Sequence, residues 1–147
     1  IIEDSKWRKE VPTIEKMLKR NVKKIYSSIN RTSQKKNLEI SVLLTNKTKM
    51  RKLNKDFRSI LKDTDVLSFP HHEKNFFLKN KLTAMNKIYL GDLAFSYDYI
   101  KKQKTNFIEY VNKIFIHGCL HLVGYQHDNE KSYKEMHLLE RKLLALV

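Results

Sequence analysis

Disulfide scaffolding is excluded at the outset, because Cys119 is the single cysteine of the chain. A lone thiol, with no signal-like segment read in these residues, fits a reducing cytosol and predicts a cytoplasmic protein. Glycine and proline are scarce, three and two in 147 residues, which excludes collagen-like and low-complexity classes. No apolar run approaches the roughly 20 residues needed to span a bilayer. No repeat or linker divides the sequence, so residues 1–147 read as one domain. Hydrophobic residues make up 41%, enough at this length for one core without staples.

What the chain has in excess is positive charge. Thirty Lys and Arg stand against sixteen Asp and Glu, a net charge of +14. Such an excess favours polyanionic partners through counterion release and steering. The excess is mostly lysine, and asparagine and isoleucine are also abundant, a bias that nucleotide composition alone can produce. Charge therefore points to a polyanion without selecting one.

The hydrophobic pattern changes period several times. Ile1 and Ile2 suggest a short opening strand, and Pro12 with Thr13 starts a helix. Ile14, Met17, Leu18, Val22, Ile25 and Ile29 recur at helical spacing. From Leu38 to Leu44 the pattern alternates, placing Leu38, Ile40, Val42 and Leu44 on one face of a strand. Asn46 or Thr48 caps a second helix that turns Met50, Leu53, Phe57 and Ile60 inward. Val66 to Phe69 is a short strand stopped by Pro70. His71 to Asn86 is a polar, Lys-rich loop reaching over one end of the sheet, with Phe76 and Phe77 inside it. Ile88 to Phe95 is another strand, with Gly91 at a bulge or a close approach. Beyond Ser96 the pattern is helical to Leu122 or Val123, with a break near Thr105, and Gly124 ends that helix. Asp128 caps a last helix that turns Met136, Leu139, Leu143 and Leu146 inward. The whole predicts an α+β domain with a small mixed sheet of about four strands packed with helices.

Chemistry concentrates in His117-Gly118-Cys119-Leu120-His121-Leu122-Val123-Gly124-Tyr125-Gln126-His127. Residues 117 and 121 differ by about 40° around a helix and lie about 6 Å apart along it, so both imidazoles can face one ion. Gly124 permits φ > 0, so the chain can fold back and bring His127 to the same ion. Three ligands leave one position for water, the arrangement of a catalytic zinc. Cys119 lies about 200° around the helix from His117 and reads as a buried small hydrophobe. His71, His72 and His137 lack partners in this spacing and read as surface or structural residues.

The spacing His-x3-His-x2-Gly-x2-His resembles that of the metzincin metalloproteases. Those enzymes place a Glu general base directly after the first His, and here that position is Gly118. Glycine can neither accept a proton nor orient water, which argues against peptide hydrolysis by that route. With Gly in the slot, the stretch is similar to the signature of the YbeY family of bacterial endoribonucleases, His-Gly-x-Leu-His-Leu-x-Gly-Tyr-Asp-His. It matches at His117, Gly118, Leu120, His121, Leu122, Gly124, Tyr125 and His127, and departs at Gln126. Leu53-Asn54 with Phe57-Arg58 resembles that family's arginine-bearing helix. Thr64-Asp65-Val66-Leu67-Ser68-Phe69-Pro70 resembles its central strand, and Leu90-Gly91-Asp92 its next strand. Met136 and Glu140 fit its closing helix.

The resemblance implies an α/β metalloprotease-like domain and a zinc-dependent, single-strand-selective endoribonuclease acting in ribosomal RNA maturation and ribosome quality control. It carries over one zinc per chain on His117, His121 and His127, with Arg58 as a catalytic residue facing the scissile phosphate; the other reading of Arg58 is an exposed helix-surface arginine. Ribosomal RNA, and the ribosome or its proteins, are the partners it implies. Gln126 adjoins a ligand and can alter its support. For Asp92 two readings stand side by side, a partner or proton acceptor near the metal and a strand-end structural residue. Ser68, Thr64 and Asp65 either orient the substrate or serve as turn and cap residues. The lysines from Lys74 to Lys87 either track a phosphate backbone, with Phe76 or Phe77 stacking on bases, or form a solvated loop. The rival functions are a metal hydrolase of another class, such as a peptidase or small-phosphoester hydrolase, and a zinc-stabilised ribosome-binding module without catalysis.

Overall fold

A computed structural model describes residues 1–29, 37–77 and 87–147. In chain order its elements are α1 (Lys6–Glu10), α2 (Ile14–Ser27), β1 (Asn37–Thr45), α3 (Lys47–Arg58), β2 (Val66–Pro70), β3 (Lys87–Ser96), α4 (Tyr97–Lys101), α5 (Phe107–Leu122) and α6 (Glu130–Leu144). The three strands form one sheet in the order β1-β3-β2, with β1 parallel and β2 antiparallel to β3. β3 is buried almost continuously, as a strand with neighbours on both sides must be. β1 keeps the expected alternation.

Two expectations about the sheet change. Strand β2, expected to be central, lies at an edge, where Pro70 costs no ladder hydrogen bond. The fourth strand shrinks to a single parallel bridge between Ile2 and Leu44, with Glu3 N–H donating to the Leu44 carbonyl at 3.0 Å. Asp4 ends it by accepting the Lys6 N–H and leading into α1. The pattern gave no sign of this one-turn helix. It exists to bury Trp7, whose indole N–H donates to the Thr45 carbonyl and whose ring meets Tyr97 and Phe107 edge-on.

Gly91 sits where the β1–β3 register shifts, with φ +133°, and a Cβ there would lie 2.2 Å from the Phe69 carbonyl oxygen. It is both a bulge and a close approach. The two faces of the sheet carry different helices. Leu93 and Ser68 face α5, where a Cβ on Gly118 would meet the Leu93 side chain at 2.8 Å. Leu67 and Ala94 turn the other way, onto Met50 of α3.

Helix α3 is capped by Asn46, which accepts the Lys49 N–H, and not by Thr48. Its inward face ends sooner than expected. Phe57 is 66% and Ile60 47% exposed, because the five-residue β2 is too short to cover the last turn, and Ser59 ends the helix with φ 58°. The break near Thr105 is present, and Asn106 caps α5. Helix α6 starts one residue later than expected. Asn129 caps it in a reciprocal box with Ser132, while Asp128 pairs with Lys74 at 2.7 Å. Leu146 lies beyond its end and is exposed. Of the Lys-rich segment, residues 78–86 fall outside the described residues. Among the described residues, no helix is long and apolar enough to cross a membrane.

Candidate active site

His117 and His121 stand on the last turns of α5, a helix whose opposite side is fully engaged. Cys119, Leu120 and Leu122 are 0% exposed and fix the helix in the core. Burial pushes the Cys119 thiol up to about 12, so it is an inert packing group as expected and offers no thiolate to a metal. Gly118 is a point of close approach to the sheet. A Glu in its place would drive into Leu93 and Ser68 and could not reach water beside the histidines.

After α5 the chain reverses at Gly124, with φ +87° and its N–H donating to the His121 carbonyl. A Cβ there would lie 2.4 Å from the Lys74 carbonyl oxygen. Only glycine tolerates both the conformation and the approach. The reversal returns His127, so that its ring centroid lies 5.5 Å from that of His117 and 5.1 Å from that of His121. One ligand atom from each of the three lies within 4.8 Å of the others. The three residues singled out by spacing are brought together.

The hydrogen bonds decide which nitrogens are free. His121 Nδ1 lies 2.9 Å from the Tyr125 carbonyl oxygen, which can only accept, so Nδ1 carries the proton. His117 Nδ1 lies 2.7 Å from Glu140 Oε1. Burial alone would push the Glu140 carboxyl up, but the His117 hydrogen bond and charge outweigh it and hold it below its ordinary value. It is therefore an ionised acceptor. With both rings neutral, as metal ligands must be, the two Nε2 atoms carry outward lone pairs, and these atoms face each other at 3.0 Å. Two lone pairs at that distance repel unless a cation sits between them. Nitrogens bound tetrahedrally to one zinc lie about 3.3 Å apart, close to this separation. Burial first, then the neighbouring His117, holds the His121 pKa down at about 4, so that its lone pair is available at neutral pH. The donor set fits a divalent ion that accepts imidazole.

Glu140 was noted in the sequence only as part of the closing helix. It supports His117 from the far side, fixing tautomer and ring angle. Glu140→Gln is expected to lower metal affinity about 10–100-fold while leaving the fold intact, checked by metal titration and thermal unfolding. Unchanged affinity would remove Glu140 from the site.

The histidines open onto a cleft of about 680 Å³. Arg58, at the C-terminal end of α3, lines it, as do Ser68, Thr64, Asp65 and Gln126. Asp92 is not among the lining residues; its carboxylate accepts from Tyr89 at 2.6 Å and serves the strand. Asp65 accepts from Tyr110 Oη at 2.9 Å, from the Val66 N–H and from Thr64. Burial, then this bond to Asp65, raises the Tyr110 hydroxyl pKa far above its usual value, so it stays a donor. Lys113, one helical turn before His117, is an exposed cation on the same wall. Periodicity could have flagged Lys113 and Tyr110, at i−4 and i−7 from His117.

The Lys-rich loop is less free than a backbone-tracking reading requires. Lys74 pairs with Asp128 and Lys87 with Glu39, Phe77 is buried, and Phe76 stacks on His72 at 3.8 Å. His71 packs on Tyr89, and the exposed His137 stacks on Tyr133, both outside the triad as expected.

Two imidazoles on a helix, a third beyond a glycine turn and an open cleft on an α+β scaffold define a protein of the metal-dependent hydrolase class. The comparisons with known proteins narrow this. The family model described as Endoribonuclease YbeY matches residues 2–147, and the chain belongs to that family. It is 40% identical over 131 residues to a protein of Pelagibacter ubique (strain HTCC1062) named Endoribonuclease YbeY, covering 82% of this chain and 80% of that one. The solution structure of TM1509 from Thermotoga maritima matches with a TM-score of 0.57 at 24% identity, covering 97% of this chain and 84% of that one, and supports the fold.

Proposed function

We propose that this chain is a zinc-dependent, single-strand-selective endoribonuclease that acts in the cytoplasm on ribosomal RNA, in its maturation and in ribosome quality control. The observation that carries the reading is the pair of Nε2 lone pairs 3.0 Å apart, with both Nδ1 protons committed elsewhere, at the floor of a cleft lined by Arg58. Zinc bound there supplies Lewis acidity toward a phosphate oxygen or a water. The protein's own groups do the rest. His117, His121 and His127 offer ring nitrogens to the ion, and Glu140 holds His117 through its Nδ1. Arg58 presents a planar fork of donors to the phosphate and to charge that develops on it. Lys113 adds a second cation to the cleft lining. Among the described residues, the carboxylates lining the cleft are Asp65, Asp128 and Glu140, and each has a hydrogen-bond partner. That arrangement disfavours the carboxylate-base route of a peptidase.

Incubation of the purified protein with single-stranded RNA and with casein tests the reading. RNA should be cut, casein left whole, and a chelator should stop the reaction. Elemental analysis of protein purified without added metal should give one zinc per chain. Arg58→Lys is expected to lower cleavage about tenfold, because one of two parallel donor bonds is lost while the charge stays. Arg58→Ala should also flatten the dependence of RNA affinity on salt by about one ion. Casein hydrolysis, or RNA affinity indifferent to salt, would count against the proposal.

A further inference from the structure

Helix α3 carries two features that neither the core nor the cleft uses. Its outer surface carries exposed cations, Lys49, Arg51, Lys52 and Lys55, with one exposed carboxylate, Asp56, among them, and Lys62 continues it just beyond the helix. At its C-terminal end a large apolar ring stands in the open. Phe57 is 66% exposed, although it is held edge-on against Phe69 at 4.9 Å and 63°. A phenylalanine in such a place does not contribute to folding in proportion to its size, since most of its surface stays wet. Its position gives it another use. Val66, Ser68 and Pro70 of edge strand β2 line the cleft, while Phe69 points to the other face of the sheet, where Phe57 meets it. Arg58, the next residue, lines the cleft. Of these two successive residues, Arg58 thus lines the cleft while Phe57 packs on Phe69, which is not among the cleft-lining residues.

We infer that Phe57 is a base-stacking platform for the RNA strand as it leaves the cleft over the β2 edge, with the basic surface of α3 as its phosphate track. This rests on the endoribonuclease reading above. A phosphate held by Arg58 carries its neighbouring nucleotide out over that edge, within reach of the Phe57 ring. Every base has a π-face, so stacking there is indifferent to sequence, while cations beside the ring hold the backbone. A base inside a duplex has both faces covered by its neighbours and cannot stack on a protein ring. The platform therefore supplies a physical reason for preferring single strands, which the triad and Arg58, addressing only phosphate, do not. It also replaces Phe76 and Phe77, which are engaged elsewhere.

Binding of a labelled oligoadenylate and of the matching abasic ribose-phosphate strand to the full chain, read by fluorescence anisotropy in chelator, tests this. Cleavage is read in parallel on the same chain loaded with zinc. Phe57→Leu keeps an apolar contact with Phe69, and its thermal midpoint should match the parent's because the ring is mostly exposed. It should bind oligoadenylate about tenfold more weakly, bind the abasic strand within about twofold of the parent, and Phe57→Tyr should restore the loss. Oligoadenylate binding unchanged in Phe57→Leu overturns the inference and leaves the ring to a protein partner. Equal losses on both strands also overturn it, since they mean a general disturbance. If the base-dependent loss appears but the zinc-loaded chain cuts no RNA, the platform stands and the endoribonuclease reading falls. If the parent binds neither strand, both fall.

Discussion

Alanine in place of His121 should abolish both metal retention and RNA cleavage while leaving a folded protein. His121 supplies one of the two Nε2 atoms that face each other, and its own Nδ1 is already committed to Tyr125. Removing it leaves two ligands, one of them the exposed His127. The loss in affinity should exceed the about 10–100-fold that follows when only a supporting partner is removed. Cleavage should fall by about a thousandfold or more. The fold should tolerate the change, because alanine is the best helix former and the imidazole is neutral at working pH. A pH signature goes with it. An unfolded His takes up a proton near pH 6.5. Folded His121 resists protonation down to about 4, first through burial and then through its histidine neighbours. In the metal-free protein the unfolded state therefore binds more protons between those values, and stability falls as pH drops through that window. His121→Ala removes this term, so the metal-free variant should lose less stability on acidification than its metal-free parent. Elemental analysis, an RNA cleavage assay and thermal unfolding at two pH values check all three statements. Undiminished cleavage by a folded variant would mean that the metal is not the catalyst, and would point to a contaminating nuclease.

Gly124→Ala should be strongly damaging although the position touches neither substrate nor metal. The left-handed conformation costs an alanine about 1–2 kcal/mol. The added methyl would also start 2.4 Å from the Lys74 carbonyl oxygen, a backbone atom that cannot turn aside as a side chain can. Together these should cost about 2–4 kcal/mol, read as a fall in the thermal midpoint. Metal should be lost with it, because relief of the clash moves the turn that carries His127. Gly118→Ala makes an instructive contrast. Its methyl would meet side-chain atoms, the tip of Leu93 at 2.8 Å and Ser68 Oγ at 3.4 Å, and a helical glycine gains up to about 1 kcal/mol on becoming alanine. Its net cost should be smaller. A Gly124→Ala protein with the parent's midpoint and full metal content would refute the account of the turn.

The residues that sequence could identify share one property. His117 and His121 are four apart on a strongly apolar helix, and His127 follows a glycine three residues further on. Their convergence follows from helix pitch and one permitted backbone angle, both local. The ends of α5, the alternation in β1 and the bulge at Gly91 were legible for the same reason. Where local rules had competitors, the reading slipped. Asn129 took the cap expected of Asp128 because Ser132 completes a reciprocal box, while Lys74 drew Asp128 aside.

By itself, then, the sequence determined the convergence of His117, His121 and His127, the helix that bears the first two, the inert cysteine and a basic chain without the metzincin glutamate. Only the tertiary structure decided that Glu140, 23 residues further along the chain, closes on His117, and that Asp65 answers Tyr110. It also brought Arg58 into the cleft, left Asp92 outside it, made β3 the central strand and exposed Phe57. The division is physical. Short spacings are fixed by bond geometry within one element, whereas distant side chains meet only where packing of the two sheet faces and the short β2 edge allows.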